Sequence, residues 1–308
     1  MSYLSDILEF AFRPDETVKA RVLSKVKDER IRTLLQTEEI TSTTLVQEEV
    51  WKTVIEGSEP AIAMREALPV LHSKGSALRV VLGETGSYAE EIAEGAAVPF
   101  KNQSYTKVTF DWKRVGDAPP ITQILIDDAL FDVVELEFKK SGRRIENKLN
   151  RDAINTIIGN ASGGVAYNGS EALKAIAQAV KTVWTADHSP DTIVMSPTFA
   201  GAILEDTNFV YANRAGTDKY FKTGKLDTTI LGLTPYVCAV TTSNNSWGNG
   251  VKAIVYEKNA VGAIGINGAG TGIRVEDYKD PLRDIVTAVS VIRYDVKNFF
   301  GAAACNIS

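Results

Sequence analysis

The sequence predicts a mixed α+β fold, and three observations carry the prediction. From Tyr105 the chain alternates residue by residue, as a half-buried strand does. Between Asp127 and Ile158 apolar residues recur at helical spacing over an unusual length. Residues 171–274 then switch repeatedly between helical and strand-like stretches, the pattern of an α/β domain.

Residues 1–57 are charged and helix-prone. Around Thr17 to Ile40 the apolar positions Val18, Val22, Leu23, Val26, Leu34 and Leu35 are scattered among Lys, Arg and Glu. So few anchors cannot build a separate core, so this arm is expected to lie on the parent domain or on a partner subunit.

In the alternating stretch Thr106, Val108, Phe110 and Trp112 share one face, and Lys107, Thr109, Asp111 and Lys113 the other. Ala77 to Leu82 is the expected partner strand. The tip of the resulting ribbon is Gly83 to Gly95, where Glu84, Glu90, Glu91 and Glu94 cluster with no basic residue between Arg79 and Lys101. A two-stranded ribbon is marginal alone and needs a surface to lie on.

Pro119-Pro120 stops the strand, and Thr122 or Asp127 can cap the helix that follows. Ile126, Leu130, Val134 and Phe138, then Ile145, Leu149, Ala153 and Ile157, keep helical spacing. The helix is expected over 127–158, roughly 48 Å at 1.5 Å per residue. Gly142 lies near its middle, where glycine weakens the backbone, and is expected to act as a point of flexure. Lys139, Lys140, Arg143 and Arg144 put a basic face on this helix. That face could be solvated, meet an acidic neighbouring subunit, or face enclosed nucleic acid.

Ala161 to Ser170, with Gly163, Gly164 and Gly169, reads as a loop. Helices are expected over 171–185, with Leu173, Ile176, Ala177, Val180, Val183 and Trp184 as its apolar set, and from Phe199 to Leu204. Strands are expected over 192–195, 236–240, 253–256, 263–266 and 287–296, with a further strand within 299–307.

Composition bounds the function. Of 308 residues 44% are hydrophobic and 24% charged, ordinary values for a soluble globular chain. No apolar run approaches the roughly 18 residues that span a bilayer, so no membrane role is expected. The N-terminus lacks the basic region of a secretory signal. A net charge of −5 disfavours sequence-reading DNA binding, because little counterion release is available. Cys238 and Cys305 are far apart in sequence and read as two buried thiols. His72 and His188 stand in no nucleophile or metal motif. The glycines at 268, 270 and 272 lack the spacing of a dinucleotide site and read as a loop tip. No catalytic residue, metal or cofactor is expected.

The order of arm, ribbon, long helix, α/β domain and closing strands resembles the major capsid proteins of tailed bacteriophages and related viruses, the Hong Kong 97 fold. The resemblance runs over about residues 60–308. It is carried by 89–95 (AEEIAEG), Val98-Pro-Phe100, 107–110 (KVTF) and 120–128 (PITQILIDD). Further matches are 191–197 (DTIVMSP), 231–236 (LGLTPY) and 275–278 (VEDY). The resemblance implies an N-terminal arm (1–60), an extended loop with flanking strand (61–115) and a peripheral domain with its spine helix (116–170). It also implies an axial domain (171–272) and return strands of the peripheral domain (273–308).

The resemblance further implies a subunit that self-assembles into hexamers and pentamers of an icosahedral shell enclosing double-stranded DNA without reading its sequence. Portal, scaffold or decoration proteins would be its partners. The expected location is the virion, with assembly in the host cytoplasm. The short 1–57 segment points to a separate scaffold or none. Because the extended loop of such proteins lies across the adjacent subunit, the acidic tip is expected to meet the basic face at Lys139, Lys140, Arg143 and Arg144 of a neighbour. Two other readings stay open. An encapsulin-type nanocompartment has the same fold around a cargo enzyme. An α/β enzyme would use residues 171–274 for nucleotide binding, for which no phosphate-binding signature is present.

Overall fold

The computed structural model describes residues 42–75, 77–83, 91–92, 105–119, 121–122, 133–206, 229–239, 247, 250–280 and 285–308. The expected helix around Thr17 to Ile40 and the start of the long helix lie outside these. The described helices are α1 (Ser42–Ser58), α2 (Met64–Ala67), α3 (Val133–Asn160), α4 (Ala172–Thr185), α5 (Pro197–Glu205) and α6 (Lys258–Val261). The early strands are β1 (Val70–Ser73), β2 (Leu78–Gly83), β3 (Tyr105–Phe110), β4 (Lys113–Asp117), β5 (Ile121–Thr122) and β6 (Gly163–Val165). The later ones are β7 (Thr192–Met195), β8 (Thr234–Val237), β9 (Ala253–Tyr256), β10 (Gly262–Asn267), β11 (Arg274–Asp280), β12 (Ile285–Asn298) and β13 (Ala304–Ile307).

The chain alternates between two compact units. The first draws on the stretches up to Ile62, Lys113–Leu149 and Ile266–Tyr294. The second draws on Ala63–Trp112, Asn150–Gly265 and Asp295–Ser308.

In the first unit β12 pairs antiparallel with β11 on one edge and with β4 and β5 on the other. The N-terminal part of α3 buries Phe138, Ile145 and Leu149, the positions expected from helical spacing. Helix α1 buries Val50 and Val54. Its Trp51 Nε1 donates to the Ile273 carbonyl at 3.0 Å.

The expected strand through Lys113 is corrected: β3 stops at Phe110 and β4 begins at Lys113. The second unit supplies the reason. The Asp111 N–H donates to the buried Asp295 carboxylate at 2.8 Å, and Trp112 Nε1 donates to the Gly75 carbonyl at 3.2 Å. A backbone donor held by a side chain is lost to the ladder.

The rest of the second unit is a layered α/β body. Its five-stranded sheet has the order β6-β13-β9-β7-β8. β13 runs antiparallel to β9 and parallel to β6. Ile176, Ala179, Val180 and Val183 of α4, and Phe199 and Ile203 of α5, pack with Ile193, Val255 and Ile307 in one buried cluster. Ser196 caps α5, its hydroxyl accepting from the Phe199 N–H at 3.3 Å, with Pro197 in the first turn. Trp184, expected on the apolar face of α4, is 64% exposed instead, one residue past buried Val183 and so turned off that face.

The expected loop at 161–170 is also corrected, since Gly163–Val165 forms β6. A Cβ at Gly163 would lie 2.8 Å from Thr182 Cγ2 and 3.1 Å from Cys305 Sγ, so glycine permits this strand to seat. Cys238 and Cys305 are buried and form no disulfide, as expected. Burial pushes the Cys305 thiol up, against a smaller opposing hydrogen bond with Thr182.

Candidate intersubunit surfaces

The ribbon is present as β2 and β3, paired antiparallel from Leu78↔Phe110 to Gly83↔Tyr105. Phe110 is buried at its base, against Gly265, where a Cβ would sit 2.7 Å from the Phe110 ring. Outward along the ribbon, Val81 is 63% and Tyr105 66% exposed. Of the acidic tip, Glu91 is described and exposed; Glu84, Glu90 and Glu94 lie outside the described residues.

The basic face of α3 is largely satisfied within its own chain. Lys139 Nζ lies 2.6 Å from Glu135 and 3.5 Å from Glu56. The Glu135 hydrogen bond holds the Lys139 ammonium above its ordinary pKa; burial opposes this and Glu56 adds to it. Lys140 pairs with Glu137 at 2.8 Å. Arg144 reaches Asp117 at 3.2 Å and Glu137 at 3.7 Å. Arg143 is exposed and has no ion pair among the described residues. Glu135 and Glu137 lie one helical turn from the cations they pair with, whereas Glu56 and Asp117 are distant in sequence and meet them only through the fold.

Gly142 is buried, and a Cβ there would strike the Val54 carbonyl of α1. Glycine here therefore has a packing role beyond the weakened backbone expected from the sequence. Gly57 of α1 repeats the arrangement against the Lys139 backbone. Such small residues let two helix backbones approach closely, where Cα–H groups can meet carbonyl oxygens.

Exposed apolar residues on the α/β body also escaped the sequence reading. Leu231 is 57% exposed and has φ 51, with Gly232 at φ 85, in a tight turn closed by the Ile230↔Leu233 bridge. A leucine held in the left-handed region is strained. Trp184 is likewise exposed. Isolated residues of this kind leave no periodic signal.

No group of His, Cys, Asp or Glu among the described residues is arranged to hold a metal ion. His188 Nδ1 lies 3.0 Å from the Glu257 carboxylate, whose same oxygen accepts from the Ser189 N–H at 3.2 Å. That arrangement ties together a loop end. Among the described residues no helix is long and apolar enough to cross a membrane.

Comparison with known proteins places this geometry. No curated protein matches the chain. Among solved structures, one from Mycobacterium phage Ogopogo is similar with a TM-score of 0.60 at 14% identity, covering 79% of this chain and 90% of that one. The asymmetric unit of the bacteriophage PhiM1 mature capsid gives 0.58 at 12% identity, covering 79% and 86%. The capsid structure of Cyanophage P-SCSP1u gives 0.59 at 10% identity, covering 78% and 86%. At such identities the likeness establishes the fold, a mixed helix-and-sheet architecture shared with phage capsid structures. A family model described as phage capsid protein matches residues 108–305, more than half of the sequence. The chain belongs to the phage capsid protein family.

Proposed function

We propose that this chain is the subunit of a virion shell, assembling into pentamers and hexamers of an icosahedral capsid around double-stranded DNA. The observation that carries the reading is the ribbon. Val81 and Tyr105 remain largely exposed in the single chain, and a two-stranded ribbon needs burial elsewhere. Obligate interfaces commonly bury about 2,000 Å² or more, and a neighbouring copy can supply that surface. Family membership supports the viral reading over an encapsulin-type compartment.

Within this proposal the arm, extended loop, peripheral, axial and return segments keep the boundaries expected from the sequence. Portal, scaffold or decoration proteins are the natural partners, and host cytoplasm the place of assembly. The role is structural, with no catalytic group assigned. The acidic tip at Glu84, Glu90, Glu91 and Glu94 meets the helix face at Lys139, Lys140, Arg143 and Arg144 of a neighbour. Arg143 is the cation most available for that contact. Gly142 flexes the spine during shell expansion.

Electron microscopy of the purified chain tests the reading. Closed particles or rings are expected. A protein that sediments as a monomer at every salt and concentration would overturn it.

A further inference from the structure

A pocket of about 120 Å³ on the first unit is lined by Arg114 of β4, Arg274 of β11 and Arg293 of β12, with Asn267 and Glu276 beside them. The register puts these side chains on one face. Arg293 pairs directly with Arg114. Val291, two residues before Arg293 on the same face, pairs with Arg274, and Val289 with Glu276. All three arginines are exposed. Like charges directly opposite one another weaken a sheet, and an anion held between them would offset the repulsion. Among the described residues one carboxylate does so in part, Glu276, 3.7 Å from Arg114. Three guanidinium groups against one carboxylate leave a surplus of two positive charges.

We infer that this pocket is an oxyanion site for phosphate. Pockets that take drug-sized molecules run to about 300–1,000 Å³, so this one has room for a single head group. The charge surplus matches a phosphate dianion. Arginine forks bind phosphate oxygens in pairs, which lysine cannot do. The phosphate could be free in solution or belong to a nucleic-acid backbone. The inference does not depend on the shell reading, since binding can be measured on the protein in any state of assembly.

The test is calorimetric titration of the full chain with inorganic phosphate at constant ionic strength, with acetate as the comparison anion. Saturable phosphate binding is expected, with little for acetate. Arg293→Gln and Arg114→Gln should each weaken it about tenfold, the loss of one charged hydrogen bond. Lys174→Gln should leave it unchanged, and Arg293→Lys should recover only part, because charge returns without the fork. A short DNA duplex that competes with phosphate assigns the site to the backbone; one that does not assigns it to free phosphate. Equal effects of phosphate and acetate on the wild-type chain would overturn the inference, even if a variant failed to fold. Binding of a peptide spanning residues 84–95 in place of phosphate would also overturn it, giving the pocket to a carboxylate of another copy.

Discussion

Gly57 and Gly142 form the two halves of one helix crossing, each admitting the backbone of the other's helix where any side chain would collide. Helix α1 and helix α3 thus meet through main chain, with Ser58 and Ser141 also buried beside the crossing. Gly57→Ala and Gly142→Ala should each destabilise the folded chain by about 1–3 kcal/mol or more, as overpacking does. Thermal unfolding of both variants measures this. The proposed flexure adds a second readout: Gly142→Ala that still assembles should expand slowly, and expansion at the wild-type rate would leave Gly142 with the packing role alone.

Charge reversal tests the proposed contact between neighbours. Glu90→Lys with Glu91→Lys should impair assembly, most clearly at low salt where screening is weak. Adding Arg143→Glu and Arg144→Glu should restore part of it. Exposed pairs give only about 0–1 kcal/mol each, so the effect is expected in assembly rate and register. Arg143→Glu alone should act more strongly than Lys140→Glu, because Lys140 already pairs with Glu137. Light scattering during assembly follows all four cases.

Asp295 is 1% exposed, accepts from the Asp111 N–H at 2.8 Å and pairs with Lys297 at 3.2 Å. Asp295→Ala removes the acceptor that ends β3. A loss of about 3 kcal/mol is expected, toward the low end for breaking a buried pair because Lys297 stays partly solvated. Hydrogen exchange at Asp111 should rise at the same time.

Alkaline pH should destabilise the second unit. Burial pushes the Tyr256 phenol well above its ordinary value, with Asp191 adding to the shift, and pushes the Cys305 thiol up as well. Both groups keep their protons longer when folded than when unfolded. Their contribution is intact below the unfolded pKa values and is lost as pH rises from about 9 upward. Tyr256→Phe should flatten this dependence above pH 10 while losing about 1 kcal/mol with its hydrogen bond to the Ala67 carbonyl. Melting temperatures from pH 7 to 11 check the sign.

The fold was legible where side chains carry a pattern. β7 and β9 are short apolar runs, and both strands lie at their expected residues. The buried face of α3 follows from Phe138, Ile145, Leu149, Ala153 and Ile157. Gly163-Gly164 offered no pattern, so β6 read as loop. Gly142 read as a weakness because propensity describes an isolated helix, whereas α1 supplies the reason for glycine. The cations of α3 were visible, but Glu56 and Asp117 reach them only through tertiary structure. The arginine pocket was hidden for the same reason: Arg114, Arg274 and Arg293 come from three strands and meet through register alone.

The position of β13 inside its sheet has a consequence for synthesis. Residues 304–307 lie between β6 and β9, and Ile307 belongs to the buried cluster. Until the ribosome has made them, the sheet has a gap between strands built far earlier, and α4 lacks part of its floor. A chain terminated before residue 304 keeps the described ribbon and helices but leaves β6 and β9 without the strand between them. Truncated products should therefore be cleaved by proteases faster than the full chain.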